Sequence, residues 1–523
     1  MSSPGKDIPL ADCVRLHAIE RPDETAFIEP DWQMSWFEYD QASNHLAGIF
    51  LSQGLCPGDG LAIYLPDGIG LHIALMAAEK AGLVALGLGA KAGLREVKHL
   101  MGVAQCKGLV SLDNYRGEDM SQAFTSFSAV LPALTIPVLL ESTYFQEKHS
   151  ASEVAIAATS HHGTSDVFLL NSTSGTTGMP KCVAHDQARW YAFHREAVSA
   201  ALLGSSDVFF GAAPPPFGFG LWTSHITPTI LGAPTVKLPG FDVSLALRLI
   251  ESHKVTVLAA VSTQFVMLLN SAEMQSADFS ALRVMFTGGE RVPYERAVAF
   301  EEGTGAAVLQ FYGSNETGAL SKTSLTDSRE KRLSTAGRLL DSMEVRLYDP
   351  QGRDCTDTGF GRPAAKGPLL SRGYFGNEEA NQQLFSPDGF MFMDDLVRID
   401  QDGYLQVVGR TGDFVIRGGK NISCAAVEEA VQGHPSVALV AAVAAPDEIF
   451  GERIMVFVVC HEGLAVSIEE LVADLACRQV SRELTPEYLQ VRADLPRSSG
   501  GKIDKAELRL EASVYVRQFC HRE

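Results

Sequence analysis

The sequence predicts an α/β protein in two parts: a large N-terminal domain over residues 1–410 and a small α+β C-terminal domain over 411–523. Three observations carry this expectation. The 523 residues exceed what one core of about 150 residues accounts for. Strand-like and helical periodicities alternate as far as about residue 320, the pattern of an open sheet with helices on its faces. After Gly409-Arg410, a last segment carries its own alternation, enough for a separate small domain.

In chain order, Leu10 to Glu20 and Tyr39 to Leu51 carry apolar residues at helical spacing, and Gly60 to Leu65 reads as a short buried strand. A helix follows from about Gly70 to Ala81, and Val167 to Leu170 is an apolar strand. Between Ala336 and Val408, short strands (Glu344 to Tyr348, Tyr404 to Val408) and turns such as Asp349-Pro-Gln-Gly352 take over. In the last segment Val427 to Gln432 and Ile468 to Ala476 read as helices, and Val437 to Ala444 and Ile454 to Val459 as strands.

Composition excludes several function classes. With 43 basic and 63 acidic residues the net charge is −20, a surface that repels phosphate backbones. No nucleic-acid partner is expected, and any phosphate site must be local. The nine cysteines are scattered and never form CxxC, which suits a reducing cytoplasm and no structural zinc. The start, MSSPGKDIPLADC, has no apolar signal core, and the longest apolar run, Val437 to Ala445, is about half of a bilayer span. The expectation is a cytoplasmic protein with no membrane span.

The strongest local signal runs from Asn171 to His185. A strand enters a stretch of hydroxyls and glycines that ends in Lys181. Gly175 and Gly178 let backbone N–H groups converge on an anion; Ser174, Thr176 and Thr177 add hydroxyl donors, and Lys181 adds charge. This suits the β- and γ-phosphates of a nucleotide. It is not the GxxxxGK[ST] loop, because Gly175 lies six residues before Lys181 and Cys182 follows. Three weaker constellations follow. Tyr312 could stack on a purine and Glu316 could hold Mg²⁺, although Phe311 to Gly318 alone reads as a turn. In Asp394-Asp395 a carboxylate could accept ribose hydroxyls, or the pair could sit exposed at a turn. Lys502 follows a flexible loop, Ser498 to Gly501, and draws interest from its company.

Taken together and in this order, the motifs resemble those of the adenylate-forming superfamily: acyl-CoA synthetases, peptide-synthetase adenylation domains and beetle luciferases. The resemblance runs from Gly58-Asp-Gly-Leu-Ala-Ile63 to Gly501-Lys502-Ile503. It implies a large adenylation domain of mixed α/β sheets plus a small β-barrel, with a small mobile C-terminal domain. It also implies that Thr173 to Lys181 close over the ATP phosphates. Tyr312, in Tyr312-Gly313-Ser314-Asn315-Glu316, would stack on adenine, with Glu316 on Mg²⁺. Asp395 and Arg410 would bind ribose, and Gly288, Gly289 and Glu290 would line the adenine and acyl sites. Lys502 would bridge carboxylate and α-phosphate. Gly412 takes the hinge position, and Gly418 and Gly419 the path of the CoA pantetheine. Four positions depart from the pattern: Asn315 replaces a threonine, Met393-Asp394 a Thr-Gly pair, Phe217 a histidine, and Gly412 the usual Asp or Lys.

Such a site joins two anions, a carboxylate and ATP, so it needs Mg²⁺, a lysine and backbone donors. A thiol then displaces AMP. The stretch Phe217-Gly-Phe-Gly220 has no carboxylate to pair with an α-ammonium, and leaving that charge buried and unpaired costs several kcal/mol. Amino acids are therefore disfavoured. Phe217, Phe219, Leu221, Trp222 and the stretch Val261 to Leu269 suggest an apolar pocket; aromatic, alicyclic, terpenoid and medium-chain fatty acids stay open. The expected function is an ATP-dependent acid–CoA ligase acting on a small carboxylic acid. The alternative is an adenylating enzyme that loads the acyl group onto a carrier protein's phosphopantetheine. Lys502 argues against an inactive ATP sensor.

Overall fold

The structure is a computed structural model and describes residues 7–147, 162–172, 180–213, 215–289, 292, 294–410, 413–417, 420–447, 450–497 and 503–519. They divide into two compact units. The first holds residues up to 172, 180–344 and 365–391; the second holds 345–364 and those from 392 on. The sequence places its boundary and hinge at 411 and 412, outside the described residues.

Among the described residues, two large sheets and a two-stranded one, Asn114–Tyr115 with Glu118–Asp119, build the first unit. The larger has nine strands, in the order Arg338–Leu339, Gly318–Lys322, Ala307–Ser314, Val284–Gly288, Val257–Ala259, Phe209–Gly211, Thr235–Val236, Thr25–Glu29 and Trp32–Ser35. Its middle is parallel and its edges antiparallel. The smaller has six strands, in the order Cys182–Asp186, Val167–Ser172, Val84–Gly87, Gly60–Tyr64, Gly108–Leu112 and Ile136–Leu140. Parallel strands are covered on both faces, so Val284–Gly288 is buried at every residue.

Helices cover these sheets where the apolar spacing puts them. The first, Leu10–Glu20, coincides with its sequence pattern. The second, Trp36–Ser52, starts three residues before the expected Tyr39, because Ser35 and Glu38 close a capping box at 3.2 and 2.9 Å. Helix Ile69–Lys80 is buried almost all round, which obliges its charged end to find partners. Lys80 pairs with Asp40 at 2.6 Å, and burial pushes the Glu79 carboxyl up to about 7.

The second unit has two sheets of five strands. One takes in Glu344–Tyr348, Phe360–Lys366, Asp395–Ile399 and Leu405–Arg410, with Met391–Phe392 beside Phe360–Lys366; these are the short strands expected as a small barrel. The other, of the C-terminal segment, runs Lys420–Ser423, Phe414–Arg417, Gly451–Cys460 and Val437–Asp447, with Tyr488–Arg492 beside Gly451–Cys460. Strand alternation divides its core in two. Val440, Ala442, Ile454 and Val456 pack with Val427 and Leu471 of the helices Cys424–Gln432 and Ile468–Cys477. Ala441, Val443, Met455 and Phe457 pack with Leu508 and Ala512 of the last helix, Lys505–Phe519. Asp413 ties the start of this segment to that helix through Lys505 and, at 2.7 Å, Arg509.

Candidate active site

The parallel strands of the nine-stranded sheet end where the candidate residues begin, as in open α/β sheets whose ligands sit at the carboxyl ends of strands. Strand Val284–Gly288 delivers Gly288 and then Gly289 at φ +84°, a left-handed conformation that favours glycine. A Cβ on Gly288 would lie 2.8 Å from the Phe311 carbonyl oxygen of the neighbouring strand. Strand Ala307–Ser314 delivers half-buried Tyr312 and then Gly313, where a Cβ would come within 1.7 Å of the Gly318 carbonyl oxygen. Glycine at 313 is thus a packing requirement of the turn. Hydroxyls close that turn: Ser314 Oγ accepts from the N–H of Glu316 (3.2 Å) and of Thr317 (3.1 Å).

Glu316 emerges half-buried from the turn. Its Oε1 accepts a hydrogen bond of 2.9 Å from the hydroxyl of Tyr374, 58 residues further along the chain. The Lys181 ammonium lies 4.5 Å from the centre of the same Tyr374 ring. One aromatic side chain therefore joins the lysine that ends the glycine-rich stretch to the candidate Mg²⁺ ligand. Sequence reading missed Tyr374, because nothing in the spacing of Arg372-Gly-Tyr374 distinguishes it from a loop tyrosine.

Asn315 has an equally specific setting. Its Nδ2 donates to Asn171 Oδ1 at 2.5 Å and its Oδ1 accepts from Asn171 Nδ2 at 3.2 Å, a reciprocal amide pair. Asn171 Oδ1 also meets His185 Nε2 (2.7 Å), His185 Nδ1 meets Arg189 Nη1 (2.6 Å), and Arg189 Nη1 donates to the Asn315 carbonyl (3.0 Å). Arginine only donates, so His185 Nδ1 accepts and its Nε2 carries the proton given to Asn171. Burial first, and then the Arg189 charge, keep the His185 imidazole well below its usual range, hence neutral. Burial lowers the Arg189 guanidinium to about 10, against the pull of Asp186 and Glu316. Asn171 Nδ2 also donates to the Pro216 carbonyl at 3.1 Å. The amide pair thus ties together the strand before the glycine-rich stretch, the Phe217 segment and the Tyr312–Glu316 turn.

Phe217 and Phe219 are half-buried on the short helical segment that leads to Trp222. Between them, a Cβ on Gly218 would stand 3.1 Å from Asn315 Oδ1. In the second unit Asp395 is buried at the head of its strand, in register opposite Arg410. Asp394 is the exposed member of that pair, 2.9 Å from Arg362. Thr173, Ser174, Gly175, Thr176, Thr177, Gly178, Glu290, Gly412, Gly418, Gly419 and Lys502 lie outside the described residues. Among the described residues no group of three or more His, Cys, Asp or Glu could hold a metal. A lone carboxylate such as Glu316 is how proteins hold a Mg²⁺ that phosphates largely coordinate.

Comparisons with known proteins identify the family. The model of the AMP-binding enzyme family matches residues 14–375, and that of the AMP-binding enzyme C-terminal domain matches residues 426–502. The chain is 28% identical over 515 residues to the medium-chain fatty-acid–CoA ligase of Escherichia coli (strain K12), covering 96% of this chain and 90% of that protein. It is 30% identical over 508 residues to the salicyl-AMP ligase / salicyl-S-ArCP synthetase of Mycobacterium tuberculosis, covering 93% and 88%. Among solved structures it resembles o-succinylbenzoate CoA synthetase from Bacillus subtilis with its acyl-adenylate. There the TM-score is 0.82 at 26% identity, covering 95% of this chain and 97% of that one. No helix among the described residues is long and apolar enough to cross a membrane. The chain belongs to the AMP-binding enzyme family, the adenylate-forming ligases, across both its N-terminal and C-terminal domains.

Proposed function

We propose that this protein uses ATP to activate a small carboxylic acid as its acyl-adenylate and then passes the acyl group to CoA, releasing pyrophosphate and AMP. One observation supports the reading: the linkage of Lys181, Tyr374 and Glu316, with the cation over the face of one ring and the carboxylate at its hydroxyl. In this reading Lys181 and the Thr173–Gly178 stretch hold the β- and γ-phosphates. Tyr312 stacks on adenine, Asp395 and Arg410 hold ribose, and Gly289 and Glu290 flank the base. Glu316 offers a hard carboxylate oxygen steadied by Tyr374, a donor that fits Mg²⁺. When bound, Mg²⁺ neutralises phosphate charge. Lys502 meets carboxylate and α-phosphate during attack, where two anions must approach. Residues 411–523 form the mobile lid, Gly412 its hinge, and Gly418 and Gly419 border the thiol's path.

The acid is not an amino acid in this reading. Position 218 has no carboxylate, and Asn315 Oδ1 stands 3.1 Å from where its Cβ would be. Relatives act on both kinds of thiol: one is a fatty-acid–CoA ligase, another a salicyl-S-ArCP synthetase. The carrier-protein acceptor is therefore the second reading, and offering free CoA against a phosphopantetheinylated carrier separates the two. The central test is Lys502→Ala. It should abolish acyl-adenylate formation from acid and ATP but leave thioester formation from supplied acyl-adenylate nearly intact. A folded variant crippled equally in both steps would sink the alternating lid.

A further inference from the structure

We infer that the acid is compact, its acyl group no larger than a single six-membered ring or a short chain. The inference rests on reading Phe217, Phe219 and Gly288 as the acyl site. In the parallel strands Val284–Gly288 and Ala307–Ser314, Gly288 stands opposite Phe311, so both point to one face of the sheet. Phe286, two residues before Gly288, points there too. Gly288 contributes no side chain to that face, because the Phe311 carbonyl oxygen lies 2.8 Å from where its Cβ would be. Phe286 and Phe311 fill the face beside it, with ring centres 5.7 Å apart.

The segment Trp222–Ile226 lies over the same face. It comes close because the next two strands present small residues: Ala259 in register with Phe286, and Gly211 in register with Ala259. A Cβ on Gly211 would lie 2.6 Å from Ser224 Cβ. Trp222 is thereby set 5.0 Å from Phe286 and 5.6 Å from Phe311. Phe193, from helix Gln187–Ala201, fills the fourth corner, 5.0 Å from Trp222 and 4.9 Å from Phe311. Rings at such separations are in contact, and a polymethylene chain has no passage between them. All four are buried, and Phe286 has no exposed surface. Phe219, half-buried, joins this cluster through Trp222, 5.9 Å away. An acyl group that passes Phe217 and Phe219 therefore meets a wall of four locked rings, not a tunnel.

The test measures binding of benzoate, butyrate, octanoate and dodecanoate to the full chain by calorimetry, and pyrophosphate release with each. Apolar sites discriminate by about 10–200-fold per ill-fitting group. We expect benzoate or butyrate to bind best, and octanoate and dodecanoate at least about 10-fold more weakly. Trp222→Ala should narrow or reverse that order. Octanoate or dodecanoate binding to the wild type as tightly as benzoate would overturn the inference, as would a folded Trp222→Ala with an unaltered order. The wild-type series needs no variant, so misfolding of Trp222→Ala does not blunt the test. Acids that bind in the expected order without releasing pyrophosphate would support the short site and sink the ligase reading.

Discussion

Asn315 shows what one residue does when it departs from the pattern around it. The threonine usual at this position would bring one hydroxyl; Asn315 instead shares two hydrogen bonds with Asn171, which is held in turn by His185. Restoring the common residue should therefore harm this enzyme. Asn315→Thr removes both bonds of the amide pair and leaves Asn171 only His185 and the Pro216 carbonyl; losing buried hydrogen bonds of this kind costs about 1–3 kcal/mol. We expect kcat/KM for adenylation to fall by roughly 5–150-fold. In a double-mutant cycle, Asn171→Ser should add little to Asn315→Thr. Activity at or above wild type for Asn315→Thr would refute the pairing. Tyr374→Phe tests the neighbouring contact: Glu316 loses its donor, so the Mg²⁺ concentration for half-maximal rate should rise severalfold while the rate at saturating Mg²⁺ changes little. The sequence exposes Asn315 as an anomaly. It hides the reason, because Asn171 and Arg189 lie 144 and 126 positions away and no local period links them.

At the scale of elements, the amphipathic helices and the alternating strands are legible because burial of one face writes itself into the spacing. The segment Trp222–Ile226 is not, since its form depends on what lies beneath it. It is a single π-helical turn, and it fits because Gly211 and Ala259 leave space on the sheet. Gly211→Ala would place a methyl group 2.6 Å from Ser224 Cβ, closer than carbon atoms pack, and the segment would have to lift. Overpacking of this kind typically costs about 1–3 kcal/mol. We expect a lower Tm, and with it weaker binding of the acid relative to ATP, because Trp222 moves with the segment. A variant with unchanged Tm and unchanged acid affinity would mean that the segment does not depend on Gly211. Packing within its own hairpin explains Gly313, a motif glycine in sequence and in structure the residue that clears the Gly318 carbonyl.

For the whole molecule, the sequence conveys two parts by their change of texture near residue 320 and after Arg410. It does not convey that the compact second unit also takes in 345–364, which join it by pairing with strands that come later in the chain. The two units also differ in how they store buried charge, and this predicts a response to acid. Four histidines of the first unit, His72, His185, His194 and His225, are held neutral by burial, the last two at about 4. Each binds no proton in the folded state at pH values where the unfolded chain, with histidines near 6.5, already does. Each therefore contributes stability that is present above about pH 6.5 and lost as the pH falls. Carboxyls raised by burial oppose this: Asp67 to about 6, Glu79 to about 7 and Glu29 in the same direction, so each stabilises the folded state more as the pH falls through that range. The histidines outnumber these carboxyls, so the net effect is a loss of stability as the pH falls from about 6.5. We expect calorimetry to show the first unit melting progressively earlier from pH 6.5 downward. His225→Asn should flatten that slope by about one proton's worth, and a Tm independent of pH between 7 and 5 would show that the buried histidines are not held neutral.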